Sequence, residues 1–168
     1  MSHIPPADLT DQFGFKPSGS IKAALIDLTH TISVMVEDNN YVRCLMIDFS
    51  KAFDTVNHAI LMKKLVEYGL DQYVIEWVLS FLSDRTQFTK VGTKISGMKA
   101  INLSIMQGSG VGPCLFIILI ADLKPVGTTN HLVNYADDAT LLVPEIHSNT
   151  LEEEFPMCKN GLYLINLR

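Results

Sequence analysis

The stretch VNYADDATLLV, residues 133–143, sets two adjacent acids, Asp137 and Asp138, inside a run whose flanks are apolar and β-prone. Leu132, Val133 and Tyr135 precede the acids; Leu141, Leu142 and Val143 follow them. Successive side chains of a strand point to opposite faces, so consecutive acids cannot share one face of a regular strand. At the tip of a tight hairpin both reach the same open space, where water or a cation solvates them. The pattern therefore predicts two core strands joined at an exposed acidic turn. Aspartate is also a common turn residue, and the pair alone reads as structural before it reads as functional.

The rest of the chain supports one domain of 168 residues with a real core. Its 48% hydrophobic and 18% charged content is globular rather than disordered. Cys44, Cys114 and Cys158 are odd in number and widely spaced, which suits free thiols in a reducing compartment better than a disulfide framework or a zinc site. The segment MSHIPPADLTDQ has no apolar core of the secretory type. The longest apolar run, Cys114 to Ala121, is well short of the roughly 18 residues of a membrane span. An intracellular chain, cytoplasmic or nuclear, is expected. Thirteen basic residues are scattered among 18 acidic ones, and this net charge of −5 argues against a tight grip on a phosphate backbone.

Periodicity then orders the elements. Residues 1–19 read as an extended lead-in. From Ser20, a plausible cap, the positions Ile21, Ala24, Leu25, Leu28, Ile32 and Met35 follow helical spacing up to EDNN at 37–40. YVRCLMID (41–48) reads as a mostly buried strand ending on an acid. Two helices follow over 57–69 and 71–84, the first closed by Gly69. The second carries Val74, Trp77, Val78, Phe81 and Leu82 on one stripe, which reads as core. TQFTKV and KISGMKAIN flank Gly92-Thr93 as a hairpin. MQGSGVGP (106–113) is a glycine-rich loop, with Pro113 suited to the first turn of an apolar helix. After the acidic hairpin, SNTLEEEF (148–155) looks like a capped helix that Pro156 would kink. The fold class is α+β, helices packed on an antiparallel sheet.

Two further patches carry chemistry. In MIDFSKAFDTV (46–56), Asp48 closes an apolar strand, where an uncompensated carboxylate is costly. It is either a turn acid or a partner of Asp137 as an oxygen ligand for a hard divalent cation. The loop QGSGVGP can present backbone N–H groups to a ligand, yet it matches neither the P-loop nor the GxGxxG pattern.

Taken in order, QFGFKPSGS, MIDFSKAFDTVNH, SIMQGSGVGP and NYADDATLLVPE strongly resemble the reverse transcriptase of LINE-type, non-LTR retrotransposons, from about Gln12 to Leu167. The resemblance implies a polymerase palm with partial fingers and no thumb. Residues 1–19 would be a remnant of the fingers, and 20–168 the palm and remaining fingers. It implies an RNA-directed DNA polymerase, joining deoxynucleoside triphosphates to the 3′ hydroxyl of a DNA primer on an RNA template. Asp48, Asp137 and Asp138 would be the catalytic carboxylates, holding two Mg2+ ions with Mn2+ as a substitute. Phe49, Ser50, Lys51 and Ala52 would line the triphosphate path. Phe53 falls at the sugar gate that excludes a ribose 2′ hydroxyl, although a core phenylalanine explains it too. Gln107 and Gly108 would lie against the nucleotide and template base, and Ala136 near the primer end. Asp54 would be structural, hydrogen-bonded near the following helix; Tyr135 reads equally well as a buried strand residue. Arg85 would pair with such an acid or touch the template.

The chain departs from the family pattern in Pro156 and in Asn57, where an aspartate is common. The basic fingers and thumb segments of the family lie outside what the sequence holds, which accounts for its acidic balance. An inert retrotransposon remnant is therefore the alternative to an active polymerase core. An RNA-directed RNA polymerase palm is disfavoured by Phe53 and by Tyr-Ala before the acid pair.

Overall fold

A computed structural model describes residues 9–49, 51–146 and 154. Its elements follow the expected order: α1 (Ile21–Asp38), β1 (Val42–Asp48), α2 (His58–Glu67), α3 (Gln72–Leu82), the short strands β2 (Arg85–Gln87), β3 (Lys90–Val91), β4 (Lys94–Ile95) and β5 (Lys99–Ile101), then α4 (Gly112–Ile120), β6 (His131–Tyr135) and β7 (Asp138–Pro144). The capped helix read over 148–155 and its kink at Pro156 lie outside the described residues, as does Cys158; of that segment only Glu154 is described, in helical conformation. Among the described residues no helix is long and apolar enough to cross a membrane.

The helix ends are set by side chains named in the sequence. Ser20 Oγ accepts from Ala23 N at 3.1 Å to start α1. Asn57 Oδ1 accepts from Ala59 N and Ile60 N at α2, and Asp71 Oδ1 from Tyr73 N at α3. Each such cap satisfies an N–H that the helix leaves orphaned and is worth about 1 kcal/mol. Proline in the first turn opens α4, which has no side-chain cap.

β1, β7 and β6 form an antiparallel sheet in that order. One face carries Ile47, Leu141, Val143 and Leu132, and packs in one apolar cluster with Leu115, Phe116 and Leu119 of α4, Leu61 and Leu65 of α2, and Val78 and Leu82 of α3. α4 is buried from Leu115 to Ile120; each such side chain contributes about 1.5–3 kcal/mol on burial, so this helix anchors the core. Lys64 of α2 reaches across to Leu119 O and Asp122 at the end of α4. The other face of the sheet carries Asp48, Met46, Thr140 and Leu142, in register across the ladder. α1 packs on this side, and Asp27 meets His131 at 2.7 Å at the start of β6. The opposite end, with Met46 80% exposed, stays open.

This arrangement corrects the readings of burial for β1 and α3, and it limits what α1 buries. β1 is not mostly buried: only Ile47 is, because β1 is the sheet's edge and one of its faces is largely uncovered. On α1 only Ala24 is buried, and Ile21 and Leu25 point outward, because the sheet covers a single narrow face of the helix. On α3 only Val78 and Leu82 are fully buried, with Ile75 and Phe81 partly buried against the core; Trp77 is 53% exposed and stacks on Phe81. α2 and α4 take up the rest of the core, so α3 has no second neighbour to bury its aromatic edge.

The lead-in is more than a tether. Phe13 N donates to Asn134 O and Asn134 N to Asp11 O, both at 2.7 Å, so residues 11–13 lie along the free edge of β6. Gln12 is buried there, and its Oε1 accepts from Gly14 N at 2.8 Å. This covers an edge that would otherwise offer unpaired backbone groups.

Candidate active site

The register of the sheet brings the three predicted acids to one end. Asp48 is the last residue of β1 and Asp138 the first of β7, directly opposite across the antiparallel ladder. Side chains in such a pair share a face, with Cβ atoms about 4.5–5.5 Å apart. Ala136 and Asp137 form the two-residue turn that joins Tyr135 of β6 to Asp138. Ala136 holds a left-handed φ of 57°, a conformation that costs a residue with a Cβ about 1–2 kcal/mol. The turn is braced from two sides. Phe49 N donates to Asp137 O at 3.3 Å. Gly14 packs so close behind it that a Cβ there would stand 2.3 Å from Ala136 N.

The electrostatics are those of an uncompensated acidic site. Asp48 and Asp138 are exposed and Asp137 is half-buried. Among the described residues none of the three is in an ion pair. Partial burial holds the Asp138 carboxyl above the usual aspartate value, and the charges of Asp137 and Asp48 push it further up. Among the described residues no three His, Cys, Asp or Glu side chains form a ready-made metal cage. A hard cation such as Mg2+ is commonly held by one or two carboxylates plus substrate phosphates, so an all-oxygen, mutually repelling donor set fits it.

The segment after β1 turns tightly against the glycine-rich loop. Phe49 and Ala52 are buried, Lys51 is exposed with φ of 57°, and Ala52 N donates to Phe49 O at 3.1 Å. Ser50 lies outside the described residues. Phe53 is half-buried: its ring stacks on Phe116 at 4.8 Å between centroids and meets Phe15 edge-on at 6.4 Å. Ile105 N donates to Phe53 O at 2.7 Å and Ser104 N to Val56 O at 3.0 Å, tying this turn to the entry of the loop. Gln107 is exposed, and Gly108 takes the left-handed φ of 81° that glycine adopts without penalty. Asp54 accepts from Gln107 Nε2 at 3.1 Å rather than bonding the following helix, which Asn57 caps. Arg85 pairs with no acid among the described residues; its guanidinium lies 5.9 Å from the Phe81 ring.

Residues 1–167 match the family model described as reverse transcriptase (RNA-dependent DNA polymerase). The chain belongs to the reverse transcriptase family. It is 31% identical over 140 residues to the probable RNA-directed DNA polymerase from transposon BS of Drosophila melanogaster, covering 78% of this chain and 15% of that protein. It is 29% identical over 138 residues to the RNA-directed DNA polymerase from mobile element jockey of the same organism, again covering 78% of this chain and 15% of that protein. The reverse transcriptase chain thus spans about 15% of the length of these relatives. Telomerase from Candida tropicalis, solved in complex with a fragment of telomeric RNA, superposes with a TM-score of 0.72 at 12% identity, over 96% of this chain and 29% of that one. That likeness is one of fold, and the fold is the polymerase palm.

Two parts of this reverse transcriptase palm escaped the sequence reading. Gln12 and Gly14 support the acidic turn; the only local trace of this is the polar-apolar-glycine order of QFG. Glu154, fully buried, accepts from Val126 N, Gly127 N and Asn130 Nδ2 at 2.7–3.0 Å, and so clamps the loop between α4 and β6. Nothing local marks it, since it stands in a run of three glutamates.

Proposed function

We propose that this chain is the palm core, with part of the fingers, of an RNA-directed DNA polymerase that extends a DNA primer on an RNA template with deoxynucleoside triphosphates. The observation that carries the reading is the pairing of Asp48 with Asp138 beside the Asp137 turn, at the open end of the sheet. In this reading residues 1–19 belong to the fingers and 20–168 form one domain of palm and remaining fingers.

Asp48 and Asp137 would hold two Mg2+ ions, or Mn2+, with Asp138 as the supporting carboxylate. Bound there, the ions would supply Lewis-acid chemistry for a primer hydroxyl and charge neutralisation for a leaving pyrophosphate. The chain's own residues bind and orient. Phe49, Lys51 and Ala52 line the triphosphate path, and the burial of Phe49 and Ala52 keeps their side-chain bulk out of it. Phe53, pinned by Phe116 and Phe15, presents a rigid ring edge against a ribose 2′ hydroxyl. Gln107, held by Asp54, and Gly108 receive the nucleotide and template base. Ala136 lies near the primer end, while Tyr135, half-buried and paired with Asp138 across the ladder, is a structural residue of β6. The free thiols of Cys44 and Cys114 suit a reducing intracellular setting.

Primer extension with the purified chain, an RNA template, a DNA primer, Mg2+ and deoxynucleotides tests the proposal. Extension that is lost in Asp137→Ala supports it. A folded wild-type chain that extends nothing overturns it and leaves the inert remnant.

A further inference from the structure

From Arg85, just after Asp84, up to α4 the sequence is charged in one sense only. Residues 85–103 hold four of the thirteen basic residues and none of the eighteen acids, so the rest of the chain carries eighteen acids against nine bases. The structure turns this segment into an arm whose residues 86–100 are all exposed. At its base β2 pairs with β5, ending at Gln87 opposite Lys99; at its tip β3 pairs with β4, with Lys90 opposite Ile95. The outgoing strand advances three residues between these pairs and the returning strand four, a bulge that splits one hairpin into two. Thr89 and Ser96 bridge the split through two hydrogen bonds of 2.9 Å.

The split leaves a cavity of about 380 Å³ lined by Gln87, Phe88, Thr89, Ser96, Met98 and Lys99. Phe88 is 56% exposed and Met98 71%, so an aromatic ring and a thioether stand open beside polar groups. Among the described residues Lys90, Lys94 and Lys99 form no ion pair. A positively charged groove with an aromatic platform is the combination that holds single-stranded nucleic acid, phosphates on the lysines and a base on the ring.

We propose that this split hairpin is a docking surface for single-stranded RNA, with Lys90, Lys94 and Lys99 on the phosphates and one base lodged against Phe88. The charge asymmetry favours this occupant over an apolar protein partner, since uncompensated lysines surround the apolar patch. The proposal rests on the polymerase reading for why RNA is the strand, while its test needs no chemistry.

Fluorescence anisotropy of a labelled oligouridylate, with the full chain and without nucleotides or divalent ions, measures the binding. Combined Lys90→Ala, Lys94→Ala and Lys99→Ala should reduce the slope of log affinity against log salt by about 2, at about 0.7 per phosphate contact on a single strand. Phe88→Ala should weaken binding about tenfold and leave that slope unchanged, as loss of one stacked base predicts. These side chains are all exposed, and circular dichroism checks that each variant keeps its fold. Crosslinks from a 4-thiouridine-bearing strand should map to residues 87–99. The proposal is overturned by equal binding of wild type and the lysine variant, by no binding of wild type, or by crosslinks that fall elsewhere. It is equally overturned if sedimentation shows the arm holding two copies of the chain together while RNA stays unbound. Binding retained with no primer extension would count against the polymerase reading and leave the docking surface standing.

Discussion

Gln107 Nε2 donates a 3.1 Å hydrogen bond to Asp54 Oδ1, joining residues 53 positions apart and tying the glycine-rich loop to the turn after β1. The bond turns two flexible polar side chains into one fixed edge beside the proposed nucleotide path. Asp54 therefore acts in this reading as a positioning residue for Gln107.

Replacing Asp54 by Ala should raise KM for the deoxynucleotide three- to tenfold, about 1 kcal/mol, the usual net worth of such a bond. Asp54→Asn keeps an acceptor oxygen and should stay within about twofold of wild type. Steady-state primer extension over a range of nucleotide concentration reads both. Equal effects of the two substitutions, or an effect on kcat alone, would remove the positioning role.

The acid cluster should show itself as a stability cost at neutral pH. The Asp138 carboxyl titrates above its unfolded-state value, chiefly through partial burial and then through Asp137 and Asp48. A raised carboxyl favours the protonated folded state: its contribution is present below the unfolded pKa and lost as pH rises through the folded one. In EDTA at pH 7, Asp138→Asn should therefore melt slightly above wild type, by about 2 °C or less for a group this exposed. At pH 3 the two should coincide. Added Mg2+ should raise the wild-type melting temperature and leave Asp138→Asn less affected. Scanning fluorimetry across pH, with and without Mg2+, would sink the prediction if the variant melted lower at pH 7.

Gly14 should tolerate no side chain. A Cβ there lies 2.3 Å from Ala136 N, a backbone atom that cannot swing aside. Gly14→Ala should lose about 1–3 kcal/mol, as overpacking does, and lower the melting temperature by about 3–10 °C. Extension should fall with it, because the Ala136–Asp137 turn must shift. Gly97→Ala, with nothing within 4 Å of its added Cβ, is the control and should melt as wild type.

Glu154 should be a structural clamp, distinct in its signature from the acids of the site. Glu154→Ala leaves three donors without their acceptor and should cost about 3 kcal/mol or more in urea unfolding. Glu154→Gln keeps an acceptor oxygen and should lose less. If Glu154→Ala unfolded at the wild-type urea midpoint, the clamp would carry no stability.

The sequence by itself determined the parts governed by neighbours along the chain. Hydrophobic period, caps at Ser20 and Asn57, Pro113 before an apolar run, and paired acids between β-prone flanks all act within a few residues. They place the elements, the acidic hairpin turn and the ordered motifs of the family. Tertiary structure alone decided which faces those elements bury. Periodicity marks Ile21, Leu25 and Trp77 as one stripe with core residues, yet burial depends on whether another element arrives to cover them, and here none does. The same reason governs the site. The opposition of Asp48 and Asp138 depends on the register between strands some ninety residues apart, and the hold of Asp54 on Gln107 depends on two turns meeting. Glu154 reaches its donors only because the chain returns to the loop after α4. Such contacts are products of packing, and no local pattern of residues encodes them.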